Sequence, residues 1–221
     1  MNPLALIASA LAIALLWLAW QTLRATQTRK TTRASYFDRL APHFSHIAQR
    51  IEPTGFPRLT ATAGAHAFDV QAVQDSLTFR KLPALWVMLT LPEPMPLTAT
   101  LDIMARPTGQ EPFSHFARLP HSLPSPAHLP EGIAIRSDNA AAVMPLERIA
   151  PHLAVFADPK VKELVISPKG LRLVILADEA ERGRYLIFRE AELGKTPLSP
   201  DRLLPLVDKL LALRQSLSEA P

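Results

Sequence analysis

The 221-residue chain has no cysteine and only seven glycines, against 22 prolines. Without cysteine there is no disulfide framework, no thiolate-ligated zinc or iron–sulfur site and no thiol nucleophile. So few glycines leave little material for backbone nests that cradle phosphate. No P-loop, GxGxxG, GxSxG, HExxH or EF-hand string occurs, and no internal repeat recurs at a fixed period. The folding part also lacks net charge. The formal charge is +4, but residues 1–39 hold five basic residues and one acid. That leaves nineteen of the 24 basic and nineteen of the 20 acidic residues for positions 40–221. A neutral domain lacks the basic footprint of phosphate-backbone binding, so no nucleic-acid partner is expected.

What is present first is a long apolar run. Pro3 to Trp20 carries no charge and a single polar side chain, Ser9. Eighteen helical residues at ~1.5 Å each span ~27 Å, close to the ~30 Å of a hydrocarbon core. Trp17 and Trp20 stand at its end, where amphipathic rings prefer the headgroup level. A cleaved signal peptide fits less well. No Lys or Arg precedes the run, the run exceeds a signal h-region, and bulky LWLAWQ occupies the place where small-x-small is needed. Residues 1–23 are therefore expected to be a retained single transmembrane anchor. Residues 24–34 are expected to be a basic juxtamembrane linker. Its Arg24, Arg29, Lys30 and Arg33 flank the membrane and serve as a topology determinant, with contact to anionic headgroups as a second use. With all these cations on one side, the positive-inside bias places the C-terminal domain in the cytoplasm, at a bacterial inner membrane.

Residues 35–221 are expected to form one soluble α+β domain: a mainly antiparallel sheet with a C-terminal helix packed on it. Phe37, Leu40, Phe44, Ile47 and Ile51 are spaced as one helical stripe over 35–51, with Pro42 as a kink. Ser35 and Asp38 resemble its capping box. Strands are expected at Ala67–Val73, Ser76–Leu82, Ala84–Leu91 and Leu97–Met104, the last two as neighbours across PEPMP. Residues 105–130, with six prolines, read as an ordered loop pinned by Phe113 and Phe116.

After a short strand at Gly132–Arg136, Pro145–Phe156 shows helical spacing despite Pro151. A three-stranded meander comes next: Val161–Ile166, Gly170–Ala177 and Arg184–Arg189. Ser199 is placed to cap a final helix with Pro200 at its first position, whose stripe is Leu203, Leu206, Leu210, Leu213 and Leu217. The expected core runs through Trp86, Leu89, Leu173, Ile175, Leu203, Leu206 and Leu210.

Candidate chemistry is sparse. His43 and His46 are three apart, too few for a zinc site. His115, His121 and His128 sit in the Pro-rich loop without a partner motif. Asp138 and Asn139 suit capping of the adjoining segment on their C-terminal side. Arg172, Arg184 and Arg189 are near Glu163, Glu179, Glu181, Glu190 and Glu192 in sequence and read as a solvated charged face. No catalytic residue, metal site or cofactor is expected. The expected function is a membrane-anchored, non-catalytic adaptor or accessory subunit whose partners are the lipid bilayer and another protein. The alternatives are a membrane-surface enzyme without a recognisable motif and an exported envelope domain. The chain isolated from membranes should have a mass that still includes residues 3–20. A mature chain beginning after Trp20 would contradict the retained anchor.

Overall fold

The computed structural model describes residues 3–76, 82–127, 129–188 and 191–219. The first element is helix α1, Pro3–Ala34, 32 residues without a break. Its apolar window has a mean hydropathy of 1.9 and none of it is buried against the rest of the protein. The expected linker 24–34 is thus helical and continuous with the apolar run. Its threonines do not unwind it. The hydroxyls of Thr22, Thr26 and Thr28 bond back to the carbonyls of Leu18, Thr22 and Arg24 at 2.8, 2.8 and 3.0 Å.

Nine strands form one open sheet in which every neighbouring pair is antiparallel. They are β1 Ser45–Ile51, β2 Pro57–Ala63, β3 His66–Asp75, β4 Ala84–Leu91, β5 Leu101–Ala105, β6 His121–Leu123, β7 Ile133–Ser137, β8 Val161–Ser167 and β9 Gly170–Glu179. The spatial order is β1-β2-β3-β4-β9-β8-β5-β7-β6. Helix α2, Arg182–Phe188, comes after β9, and helix α3, Pro200–Ser218, ends the fold. α3 packs across β4 and β9 and buries Leu203, Leu206, Leu210, Leu213 and Leu217. The α+β class and the C-terminal helix on the sheet are as the sequence predicts.

Several local expectations are overturned. Residues 35–51 are not a helix. Tyr36, Phe37 and Leu40 are buried in a turn, Ala41–His43 is one 3-10 turn, and the chain then becomes the edge strand β1. The α-helix ends at Ala34, Pro42 takes a first-turn position of the 3-10 turn, where its missing N–H costs nothing, and residues 45–51 pair with the free edge of β2. The apparent stripe is split, with Ile47 and Ile51 exposed. Ser35 stands after the end of α1 and caps no helix start. β4 and β5 are not neighbours either. Pro92, Pro94 and Pro96 lack the N–H groups of a tight hairpin, and the chain crosses the β8–β9 turn, where Met95 N donates to Pro168 O at 3.0 Å.

Gly170 makes that crossing possible. Its φ is +136°, and a Cβ there would lie 2.2 Å from Leu91 O. Strand β5 begins only at Leu101. Arg184–Arg189 does not complete a meander, because both edges of β9 are already occupied by β4 and β8. The segment forms α2 instead, and Arg189 lies outside the described residues. Pro145–Phe156 is a pair of 3-10 segments, Leu146–Arg148 and Ala150–Ala157, as Pro151 withholds a helical donor. The Ser199 hydroxyl donates to Asp201 Oδ2 at 3.3 Å and does not cap the backbone of α3. Within the expected strand Ser76–Leu82, residues 77–81 lie outside the described residues. The Pro-rich loop holds as an excursion, with Phe113 and Phe116 buried, although it contributes the short edge strand β6.

The main core lies between the sheet and α3. It includes Leu89, Leu173, Ile175 and the α3 leucines, together with Tyr36, Phe37 and Phe56 from the N-terminal turn. Tyr36 packs edge-on to Phe56 at 5.4 Å and 84°. Trp86 is on the other face, half-buried against Phe113 with ring centroids 5.2 Å apart. Truncating Leu173 to Ala should cost about 2–5 kcal/mol. This is checked by urea unfolding of the full chain in mild detergent, monitored by near-ultraviolet circular dichroism. An unchanged midpoint would remove Leu173 from the core.

Candidate functional site

Strand alternation sends Arg58 of β2, Asp69 and Gln71 of β3, Met88 and Thr90 of β4, Arg172 of β9 and Asp102 of β5 to the face opposite α3. The loop after β5 folds over one end of this face. Between loop and sheet is a cleft of about 930 Å³, with His115 and Leu119 on one wall and Lys169 at the β8–β9 turn. On its floor Arg58 donates two hydrogen bonds to Asp69, at 2.7 and 2.9 Å.

Beside the cleft is a buried charge cluster. Glu163 is 0% exposed. One of its oxygens accepts from the Ser114 hydroxyl and the other from Arg172 Nη2 at 3.0 Å. Asp102 is 3% exposed, and its Oδ1 has no hydrogen-bond partner among the described residues; neither has Arg172 Nε. Lys162, from the same strand as Glu163, donates to the carbonyls of Ala105 and Arg106, each at 2.7 Å, and lies 3.1 Å from Glu111. These contacts hold the loop onto the sheet.

Two buried carboxylates beside one guanidinium cannot both ionise cheaply. Burial raises Glu163, and the Arg172 charge and the Ser114 hydroxyl offset part of that rise. Asp102, desolvated and next to the charge of Glu163, is pushed up to about 8. The proton of the pair therefore sits on Asp102 near neutral pH. Glu111 behaves oppositely. Burial alone would raise it, but the Thr108 N–H and hydroxyl and the Lys162 ammonium hold it down at about 2. Glu93, on the other side of the sheet, obeys the same logic. Burial is outweighed by hydrogen bonds from His66 at 2.8 Å and Arg214 at 2.5 Å, and its carboxyl is lowered. That triad ties α3 to the β2–β3 hairpin.

A second concavity, of about 740 Å³, lies along α1. Trp20, Arg24, Arg29 and Arg33 face Glu192, Leu193 and Lys195 across it. The helix repeat brings three of the four expected flanking cations to one side and leaves Lys30 off the groove. The segment opposite is fixed to the core. Leu193 is buried, and Gly194 N donates to Asp178 Oδ2 at 2.9 Å. A Cβ on Gly194, whose φ is +73°, would lie 2.5 Å from the Phe56 ring.

The other candidates are dispersed. His43 and His46 precede and begin β1, and no group of three or more potential metal ligands occurs among the described residues. His115 lines the cleft, His121 is on the edge strand β6, and His128 is outside the described residues. Asn139 caps its 3-10 turn by accepting from Ala141 N at 3.2 Å, whereas Asp138 accepts from Thr100 N at 2.8 Å and braces the start of β5. The expected solvated charged face is overturned at Arg172, whose partner Glu163 is fully buried, whereas Arg184 pairs with Glu192 nearer the surface. Asp102 escapes sequence reasoning because it alternates with Leu101 and Ile103 and so reads as solvent-facing, whereas Glu111 stands in the Pro-rich loop and Lys162 beside Glu163, where no sequence pattern marks burial. The aromatics that pin the loop, Phe113 and Phe116, are the one sequence signal that this face is covered.

Among solved structures, the crystal structure of the mycobacterial trehalose monomycolate transport factor A is similar, with 11% identity, 87% of this chain and 98% of that chain covered, and a TM-score of 0.46. No family model and no curated protein matches the chain.

The elevated Asp102 has a definite pH signature. An unfolded aspartate titrates near ~3.9. Between about pH 4 and about pH 8 the folded chain therefore binds the extra proton, and this part of its stability falls as pH rises. Asp102→Asn should flatten that decline and unfold at higher urea than the parent near pH 8, by about 1–3 kcal/mol. Urea titrations of both proteins at acidic and mildly alkaline pH check it, and a variant less stable at the alkaline end would refute the assignment.

Proposed function

We propose that this chain is a single-pass membrane protein with a cytoplasm-facing domain, acting as a non-catalytic accessory subunit that holds another protein at the bilayer. The observation that carries it is α1. Its apolar span is wholly exposed, which a core helix would not be. Its last turn is built into the domain. Arg33 donates to Thr54 O at 3.1 Å and stacks over Phe56 at 5.3 Å, and Gln49 Nε2 donates to Ala34 O at 3.1 Å. A cleaved leader needs an accessible peptide after its apolar run, whereas here the helix runs unbroken into a packed joint. Arg24, Arg29, Lys30 and Arg33 supply the positive flank that favours a cytoplasmic domain.

The non-catalytic part rests on the cleft. Its Arg58 and Asp69 are spent on each other. Ser114 and Glu163, and likewise Thr108 and Glu111, are hydroxyl–carboxylate pairs beside it that are bonded together and do not line it. A membrane-surface enzyme remains the second reading on the strength of Asp102 alone, a neutral buried acid open to the cleft.

Topology is tested by reporters at the C-terminus. A fluorescent protein should be bright and alkaline phosphatase inactive, and the reverse would move the domain out of the cytoplasm. Moving the four cations to the N-terminal side should invert the result.

A further inference from the structure

We propose that α2 is a second membrane contact: a short interfacial helix whose Leu186 and Ile187 rest in the headgroup–acyl boundary of the bilayer that α1 crosses. The inference depends on α1 being the anchor. Leu186 is 56% and Ile187 74% exposed. Among the described residues, the other exposed large apolar side chains belong to α1 and to Ile47 and Ile51 of β1. Folding does not explain α2's pair. Tyr185 turns toward the core while its two neighbours turn away, and β9 has no free edge that would draw the segment into the sheet.

The position of α2 identifies the surface that meets this apolar pair. Arg184 Nη1 lies 2.8 Å from Glu192 Oε2. Glu192, Leu193 and Lys195 face Trp20, Arg24 and Arg29 across the groove. α2 is therefore one ion pair away from the part of α1 that would leave the hydrocarbon. Cations flank the apolar pair: Arg182 and Arg184 are on α2 itself, and Arg24, Arg29 and Lys195 line the α1 groove, while Arg184 and Lys195 also share a hollow of about 390 Å³ with Asp178, Glu179, Glu181 and Glu192. Apolar tips beside cations are the pattern of an interfacial helix. A seven-residue helix would not hold a free protein at a membrane. Joined to an anchor, it meets the surface at the high effective concentration of an intramolecular contact.

The absence of cysteine makes the test direct. Single variants Ile187→Cys, Leu16→Cys and Ser122→Cys of the full chain carry an environment-sensitive NBD label. They are reconstituted in vesicles of mixed neutral and anionic phospholipid, with or without nitroxide-labelled lipid. Leu16 and Ser122 mark the apolar span and the far sheet edge, and all three side chains are exposed, so labelling disturbs no packing. The Ile187 and Leu16 probes should emit to the blue and lose intensity with nitroxide lipid, and the Ser122 probe should do neither. A quenched Leu16 probe with an unquenched Ile187 probe overturns this proposal, leaves the anchor intact and assigns α2 to a protein partner. An unquenched Leu16 probe overturns the anchor reading itself. Equal quenching at Ile187 and Ser122 also overturns the proposal, because the contact would not be specific to α2.

Discussion

The domain is organised by the need to cover β9 on both faces. Leu171, Leu173 and Ile175 point one way and Val174 the other, and all are buried. A strand of this kind needs an apolar layer above and below it. α3 and the N-terminal aromatic turn supply one layer. The other comes from the loop after β5, which brings Phe113 and Phe116 against Val174, Met104 and Trp86. Because a loop has less apolar surface to offer than a helix, this second layer is completed with ion pairs. Lys162 with Glu111, and the Ser114 hydroxyl on Glu163, which Arg172 pairs with from β9, hold the loop where a helix would have relied on leucines.

This substitution carries a cost that appears as Asp102. Buried ion pairs are satisfied only where partners match in number and geometry. Here the loop closes over one carboxylate more than the nearby cations neutralise. The protein accommodates it by retaining a proton, not by excluding the residue. The same arrangement leaves the rest of that face open as the cleft. The site is therefore the space between sheet and loop that the two do not close.

The elements legible in the sequence were those whose periodicity is enforced from one side. The α3 stripe and β3 each show one repeat over a long window and burial tracks it, whereas α1 has no repeat and is legible from its unbroken apolar composition. The misread elements were those decided by competition for partners. Residues 45–51 carry apolar spacing that fits a helix, but the edge of β2 was available and the preceding residues had already left the α-helix at Ala34. Residues 182–188 carry a strand's composition, but β9 had no edge left. Sequence periodicity describes what a segment could bury and says nothing about which edges remain. The charge cluster was hidden for a related reason. A polar residue alternating with leucines reads as facing water until a distant loop covers it.

The joint at Arg33, Ala34 and Phe56 fixes the axis of α1 relative to the sheet at its β1 end. Eight strand spacings of ~4.8 Å separate that end from β6, an arm of roughly 38 Å. A helix that tilts by ~20° to match a thinner bilayer would swing the far strand through roughly 13 Å if the joint does not bend. If α1 spans a bilayer as proposed, a rigid joint makes bilayer thickness a mechanical input to the domain, with the largest displacement at the β6 edge.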